Sequence, residues 1–181
     1  MHTKESKFVS FVLRHSAEKL GLDIDSQGWV SVEGLLRLCH KSKYTNVTME
    51  VLEQIVAQDQ KHRYNFNEDR TKIRANQGHS MECVKINFDK TVPPQVLFHG
   101  TSCDSLQAIH EHGISKMKRH HVHLSETLET AQTVGLRHGK LAVLVLDTSQ
   151  MWADGIEFLR SDNNVWLVDH VDPKYIKDTF I

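Results

Sequence analysis

The chain has 181 residues, of which 39% are hydrophobic and 25% charged, and its formal net charge is −1. This length allows one substantial core or two small lobes, and a charge near zero argues against a protein that grips nucleic acid through a broad basic surface. No apolar run is long enough for a membrane span or a signal peptide, and the three scattered cysteines make a disulfide framework unfavourable, so we expect a cytoplasmic protein.

The first half is predicted to contain three helices followed by a β-hairpin, an order typical of a winged-helix module. Apolar residues at helical spacing predict helices over Ser6–Leu20, Val32–Leu38 and Met49–Gln58. The first helix is expected to bury an apolar face that includes Phe8, Phe11 and Val12 and to stop at Gly21. Alternation in Arg63–Phe66 and Thr71–Arg74 predicts the two hairpin strands.

The second half has a mixed pattern and begins after the linker candidate Val92-Pro93-Pro94-Gln95. Strands are predicted at Val96–Phe98, Val122–Leu124, Leu141–Leu146, Glu157–Arg160 and Val165–Val168, and helices at Ser102–His112 and Thr127–Leu136. We therefore predict an α+β fold with one lobe over residues 1–91 and a second, mixed β lobe over residues 92–181.

A first candidate site is His99-Gly100-Thr101, which is expected at a junction between a strand and a helix. Glycine allows close approach of a ligand to the backbone, threonine offers a hydroxyl, and the helix from Ser102 would aim free N–H groups at an anion such as a pyrophosphate. A capped helix start with a buried, hydrogen-bonded histidine is the alternative interpretation.

A second candidate site surrounds Arg119 and the strand that follows it. Alternation sends His121 and His123 to one face of that strand, and the Arg119 guanidinium suits a bidentate phosphate contact. The His-x-His spacing also fits zinc, but no cysteine and no third ligand lie near it, so we expect no metal. Taken by themselves, Arg14, His15 and Arg63 favour solvated surface positions.

Six motifs taken together resemble the NAD-dependent RNA 2′-phosphotransferases, which remove the splice-junction 2′-phosphate from tRNA. The motifs are Leu13-Arg14-His15, Gly28-Trp29-Val30, Arg63–Phe66, Ile73–Ser80, Phe98–Thr101 and Arg119–Ser125. They follow the order and spacing of that family from about Lys7 to about Tyr175. One departure is Asn76, which stands where a hydrophobic residue is more usual.

The resemblance implies a winged-helix RNA-binding lobe over residues 1–91 and an ADP-ribosyltransferase-like NAD-binding lobe over residues 92–181. It places the catalytic roles on Arg14, His15, Arg63 and Arg119. By motif, the NAD contacts fall on His99, Gly100, Thr101, Gly113, Ile114, His123, Leu124 and Ser125. NAD is expected to be consumed as a co-substrate, the partner to be a tRNA-like RNA carrying a 2′-phosphate, and the protein to be a monomer without membrane association.

Three other functions stay open on the sequence. The first is an ADP-ribosyltransferase that modifies another nucleic acid or a protein, although the glutamate expected on a late strand of such enzymes is absent, since Val165 stands in its place. The second is a non-enzymatic winged-helix regulator, which leaves Arg119 and the histidine strands unexplained. The third is a metal-dependent hydrolase, which a chelator would test.

Overall fold

The computed structural model describes residues 3–44 and 46–181, and contacts divide the chain into two compact units, residues 1–87 and 88–181. Both units mix helices with antiparallel strands, which confirms the α+β class. The division falls after Asn87, so Asp89 and Lys90 pair with the second unit, ahead of the two prolines.

The first unit contains the predicted three helices and the predicted hairpin. The helices are α1 (Thr3–Phe11), α2 (Val32–Lys41) and α3 (Met49–Ala57), and the strands are β1 (Val30–Ser31), β2 (Tyr64–Phe66) and β3 (Lys72–Ala75). The strands form one sheet in the order β1-β3-β2. Ser31 and Thr48 cap α2 and α3 by accepting backbone N–H groups with their hydroxyls. The winged-helix arrangement itself stays a prediction.

The first helix is longer and less regular than predicted. After α1 the chain continues as a π-helical turn over Val12–Ser16 and a 3₁₀ turn over Glu18–Leu20, and it ends at Gly21 in the left-handed region as expected. The prediction that this helix buries Phe11 is wrong, because Phe11 is 50% exposed. The wider turn that follows it places Val12, as predicted, and also Leu13 in the core.

The second unit is built from antiparallel strands with three short helices. The helices are α4 (Leu106–His112), α5 (Leu128–Gly135) and α6 (Thr148–Ala153); the strands are β4 (Asp89–Lys90), β5 (Val96–Ser102), β6 (Ile114–Ser115), β7 (Val122–Leu124), β8 (Leu141–Asp147), β9 (Leu159–Arg160), β10 (Trp166–Val168), β11 (His170–Val171) and β12 (Ile176–Phe180). They pair in the orders β12-β8-β5, β4-β9-β10-β7 and β11-β6. Backbone hydrogen bonds in both directions between Phe98 and Ser125 join β5 to the end of β7.

Strand β5 runs further than predicted, which changes the setting of the first candidate site. The partner strand β8 pairs with β5 as far as Leu141 opposite Ser102, so His99, Gly100 and Thr101 lie within the sheet. A 3₁₀ turn over Cys103–Ser105 then precedes α4. The expectation that these three residues lead directly into an α-helix N-terminus is therefore wrong.

Each unit has its own hydrophobic core. In the first unit the core includes Leu13, Leu35 and Leu52, and in the second it includes Leu97, Leu144 and Phe158. Strand β8 is the central strand of its sheet, and its apolar run is buried as expected. Within the described part of the chain, no helix combines the length and the apolar character needed to cross a lipid bilayer.

Candidate functional site

Arg14 and His15 lie on the π-helical turn of the first unit and are both tied to Ser80. The Ser80 backbone N–H donates to the Arg14 carbonyl at 3.0 Å, and the Ser80 hydroxyl lies 2.9 Å from His15 Nδ1. The last carbonyls of a helix have no N–H partner within the helix and must bond elsewhere, and Arg14 is two residues from the end of this turn. The Arg14 carbonyl is used in this way to dock the segment that carries Ser80.

The Ser80 hydroxyl suits a histidine that exchanges a proton. A hydroxyl both donates and accepts, so it can donate to a bare Nδ1 or accept from a protonated one. Ser80 can therefore hold the His15 ring in the same orientation in its neutral and charged forms. This geometry allows His15 to act as a phosphate ligand or as a general acid.

Arg63 lies just before β2 and forms an ion pair with Asp59. The sequence analysis did not predict a role for Asp59. Asp59 accepts from both the backbone and the guanidinium of Arg63, and its side chain is 4% exposed against 28% for Arg63. The guanidinium is thus the outward partner of the pair and keeps its charge available to a ligand.

The segment from Asn76 to Ser80 connects the two groups of the first unit. At one end, Asn76 donates its backbone N–H to the Arg63 carbonyl at 2.8 Å and its side-chain amide to the His62 carbonyl at 2.7 Å. At the other end, Ser80 contacts Arg14 and His15 as described. Asn76 is 2% exposed, so the polar residue that departs from the family pattern has a defined hydrogen-bonding role.

In the second unit, Arg119, His123 and His99 form a connected array. Arg119 Nη1 lies 2.8 Å from His123 Nδ1, and His99 Nδ1 lies 3.1 Å from the His123 carbonyl. Arginine can only donate and a carbonyl can only accept, so these contacts assign the proton positions. His123 accepts at Nδ1 and carries its proton at Nε2, whereas His99 donates at Nδ1 and offers Nε2 as an acceptor.

The electrostatics favour a neutral His99 beside a charged Arg119. Burial lowers the pKa of His99 below its ordinary 6.5, nearby His138 and Arg119 act in the same direction, and the hydrogen bond to His123 opposes them. Desolvation also lowers the pKa of Arg119, although an arginine stays charged at neutral pH. In the described residues, no carboxylate forms a salt bridge with Arg119.

The other residues predicted to contact NAD lie in different surroundings, some near His99 and others in the core. Ser125 pairs with Phe98 beside His99, and Thr101 is buried one position before the end of β5. Leu124 and Ile114 are buried in the core, and Gly113 follows α4 with a φ of +80°. Their assignment to NAD rests on the motif alone.

Gly100 is required by packing, not by a ligand at its missing side chain. A Cβ built there would lie 1.8 Å from the carbonyl oxygen of Ala131 in α5. The close approach that was expected for a ligand is thus made by the helix behind the strand.

No three His, Cys, Asp or Glu side chains of residues 3–44 and 46–181 are grouped so as to hold a metal ion.

The sequence analysis did not predict the roles of Asp59 and Ser80. Asp59 precedes Arg63 by four residues, a spacing typical of ion pairs in helices, but it lies beyond the end of α3. Ser80 lies 65 residues from His15, and only the motif that contains it gave a signal.

Comparison with known proteins gives one consistent result. A family model described as RNA 2′-phosphotransferase, Tpt1 / KptA family, matches residues 1–170. A probable RNA 2′-phosphotransferase of Trichormus variabilis is 48% identical over 173 residues, which cover 96% of this chain and 94% of that protein. Proteins with the same description from Flavobacterium johnsoniae and Fusobacterium nucleatum are 46% and 45% identical, covering 95% and 96% of this chain and 93% and 97% of their own lengths. The chain belongs to the RNA 2′-phosphotransferase family.

Proposed function

We propose that this protein removes an internal, splice-junction type 2′-phosphate from RNA by transferring it to NAD. The products are RNA with a 2′-hydroxyl, ADP-ribose 1″,2″-cyclic phosphate and nicotinamide. The observation that carries the proposal is that the cationic side chains predicted for phosphate binding are oriented by neighbouring groups. Arg63 is held by Asp59, Arg119 by His123, and the turn bearing Arg14 and His15 by Ser80.

In the first step a 2′-phosphate oxygen bonds to C1″ of the nicotinamide ribose. The C1″–N bond breaks, and its electron pair leaves with nicotinamide. A phosphate is already an anion near neutral pH and needs no general base, which fits the absence of a glutamate at Val165. The role of the chain here is orientation of two reactants, an effect that can contribute about 7–11 kcal/mol.

In the second step the ADP-ribose 2″-oxygen bonds to phosphorus and loses its proton. The bond from phosphorus to the RNA 2′-oxygen breaks, and that oxygen takes up a proton, for which His15 is the proposed donor. Negative charge rises on the non-bridging phosphate oxygens, so Arg14, Arg63 and Arg119 contribute most in this step.

The hydrogen-bond donors and acceptors along β5 and β7 match those of the ribose hydroxyls of NAD. The neutral His99 supplies an acceptor at Nε2, and His123 supplies a donor at Nε2, because their Nδ1 atoms are engaged elsewhere. A hydroxyl donates and accepts, so a ribose can satisfy both types of group. His99, Thr101, His123 and Ser125 are the residues we propose for this contact.

A short RNA with one internal 2′-phosphate tests the proposal. It is incubated with the purified protein with and without NAD, with EDTA present in parallel samples. We expect loss of the phosphate only with NAD, formation of the cyclic phosphate of ADP-ribose, and no effect of the chelator.

Other outcomes point to the alternative functions. Stable ADP-ribosylated RNA without phosphate release would favour an ADP-ribosyltransferase with another natural acceptor. Loss of the phosphate without NAD, blocked by EDTA, would favour a metal-dependent hydrolase. RNA binding without turnover would favour a regulator.

A further inference from the structure

We propose that Asp59 is a positioning residue, whose buried carboxylate holds the Arg63 guanidinium in the orientation that receives the substrate phosphate. The inference rests on the proposed function, because it takes Arg63 as a phosphate ligand. It goes beyond that function by assigning a role to a residue outside the motifs on which the family resemblance was based.

Both oxygens of the Asp59 carboxylate accept hydrogen bonds from Arg63. Oδ2 accepts the Arg63 backbone N–H at 2.5 Å, and Oδ1 is in close contact with Arg63 Nη1. Oδ1 also accepts the Lys61 backbone N–H at 3.3 Å. A carboxylate is rarely buried unless it is paired and hydrogen-bonded, and Asp59 meets both conditions within four residues of chain.

The backbone between these two residues is fixed as well. His62 has a φ of +44°, an unusual value for a residue other than glycine, and its N–H donates to the Asp59 carbonyl at 2.8 Å. From the other side, Asn76 donates to the carbonyls of His62 and Arg63. With the backbone held, only the side-chain torsions of Arg63 remain variable, and the contact with Asp59 restricts them.

The arrangement leaves the guanidinium able to bind a second anion. Asp59 engages Nη1, whereas a bidentate contact to phosphate needs two further N–H groups along one edge of the guanidinium, which carries five. Arg63 is also the more exposed partner. By contrast, the Arg37–Glu33 pair in α2 has side chains 64% and 77% exposed, as in an ordinary solvated ion pair.

The test compares Asp59→Asn, Arg63→Ala and the double variant in single-turnover reactions with 2′-phosphorylated RNA and saturating NAD. The Asn variant keeps the shape of the side chain but loses the charge. We expect it to slow release of the phosphate by roughly 10- to 100-fold and to let ADP-ribosylated RNA accumulate, because a misplaced donor acts on the step in which charge develops. In the Arg63→Ala background the same change should have no further effect.

Glu33→Gln is the matched control, since it removes the acidic partner of another pair separated by four residues and should leave both steps unchanged. If the Asp59→Asn variant does not fold, the Asp59→Glu variant tests the same role. It keeps a carboxylate but displaces it, so it should slow phosphate release by a smaller factor without slowing the first step.

Three results would overturn the inference. The Asp59→Asn variant could release phosphate at the wild-type rate, or the folded variants could be slowed equally in both steps. The third is that Asp59→Asn slows phosphate release by the same factor in the Arg63→Ala background as in the wild-type protein. An equal loss would mean that Asp59 only supports folding. Failure of the proposed function is seen separately, because the wild-type protein would then not release the phosphate in the presence of NAD.

Discussion

Three of the four proposed catalytic side chains are held by a partner whose position depends on the fold. His15 depends on Ser80, Arg63 on Asp59 and Arg119 on His123. A long cationic side chain loses about 2 kcal/mol of conformational freedom when it is ordered. Partners that orient the side chain before substrate binds reduce this cost at the moment of reaction.

Replacing Ser80 by alanine should lower kcat/KM about tenfold. The change removes the hydroxyl that lies 2.9 Å from His15 Nδ1 but keeps the backbone N–H that donates to Arg14. Steady-state rates with a 2′-phosphorylated RNA measure the effect. Ser149→Ala, a change on an exposed position of α6, is the control, and an equal loss in both variants would contradict the role given to Ser80.

Replacing Arg119 by lysine should reduce phosphate release by roughly 100-fold although the charge is kept. Lysine is a point charge without the planar fork that matches two phosphate oxygens, and it cannot reproduce the contact to His123 Nδ1 in the same way. Single-turnover rates give the comparison, with Arg37→Lys as the exposed control. Full activity in the Arg119 variant would show that a single positive charge is sufficient there.

The lowered pKa of His99 predicts how stability depends on pH. Below about pH 6.5 the unfolded chain binds more protons than the folded chain, so the free energy of unfolding should fall as the pH falls from 6.5 towards the folded pKa. His121, whose pKa burial also lowers, acts in the same direction. The slope is at most about 1.4 kcal/mol per pH unit for one proton. Urea unfolding between pH 7.5 and 5.5 measures it, and His99→Gln should flatten the dependence.

At the scale of elements, the packing of β5 on α5 depends on two glycines. A Cβ at Gly100 would lie 1.8 Å from the Ala131 carbonyl oxygen, and one at Gly135 would approach the Leu141 side chain and the Thr101 backbone. Strand and helix are therefore closer together than ordinary side chains permit. This close packing fixes the strand that carries His99.

Gly100→Ala should destabilise the protein by about 3 kcal/mol, because the strand or the helix backbone must move to admit a methyl group. The free energy of unfolding in urea is the measurement. Gly34→Ala is the control: its Cβ would meet the end of the flexible Leu22 side chain at 3.2 Å, so it should cost far less. Comparable losses would contradict the packing argument.

The sequence predicted every helix and strand of seven or more residues at least in part, whereas several shorter elements were missed. Helices α2, α3 and α5, and strands β7, β8 and β10, were predicted from apolar periodicity and turn residues. Strands β4, β6, β11 and β12 and helix α6 were not predicted. Strands β4, β6 and β11 have two residues each, too few for a periodic pattern, and such strands form only because a partner strand is present.

At the scale of the whole molecule, each unit has its own core, and the proposed catalytic residues are divided between the units. Arg14, His15 and Arg63 belong to residues 1–87, and Arg119 belongs to residues 88–181. The core around Leu97 and Phe158 draws only on the second unit. The second unit therefore contains the contacts needed for an independent fold.

A fragment of residues 88–181 should consequently fold alone. We expect cooperative thermal unfolding monitored by circular dichroism and no release of the RNA 2′-phosphate, since three of the four proposed catalytic residues are missing. A fragment that unfolds without cooperativity would show that the core of the second unit is not sufficient. A fragment that retains the activity would contradict the catalytic assignment of Arg14, His15 and Arg63.

The sequence by itself determined the α+β class, most of the longer elements and the family, because periodicity, turn chemistry and ordered motifs are local or colinear properties. Only the tertiary structure decided what holds the proposed catalytic side chains. Ser80 reaches His15 across 65 residues, Asp59 turns back on Arg63 through a left-handed His62, and α5 fills the place beside Gly100. Such contacts depend on how the chain returns to itself in three dimensions, and a linear pattern of residue types does not encode that geometry.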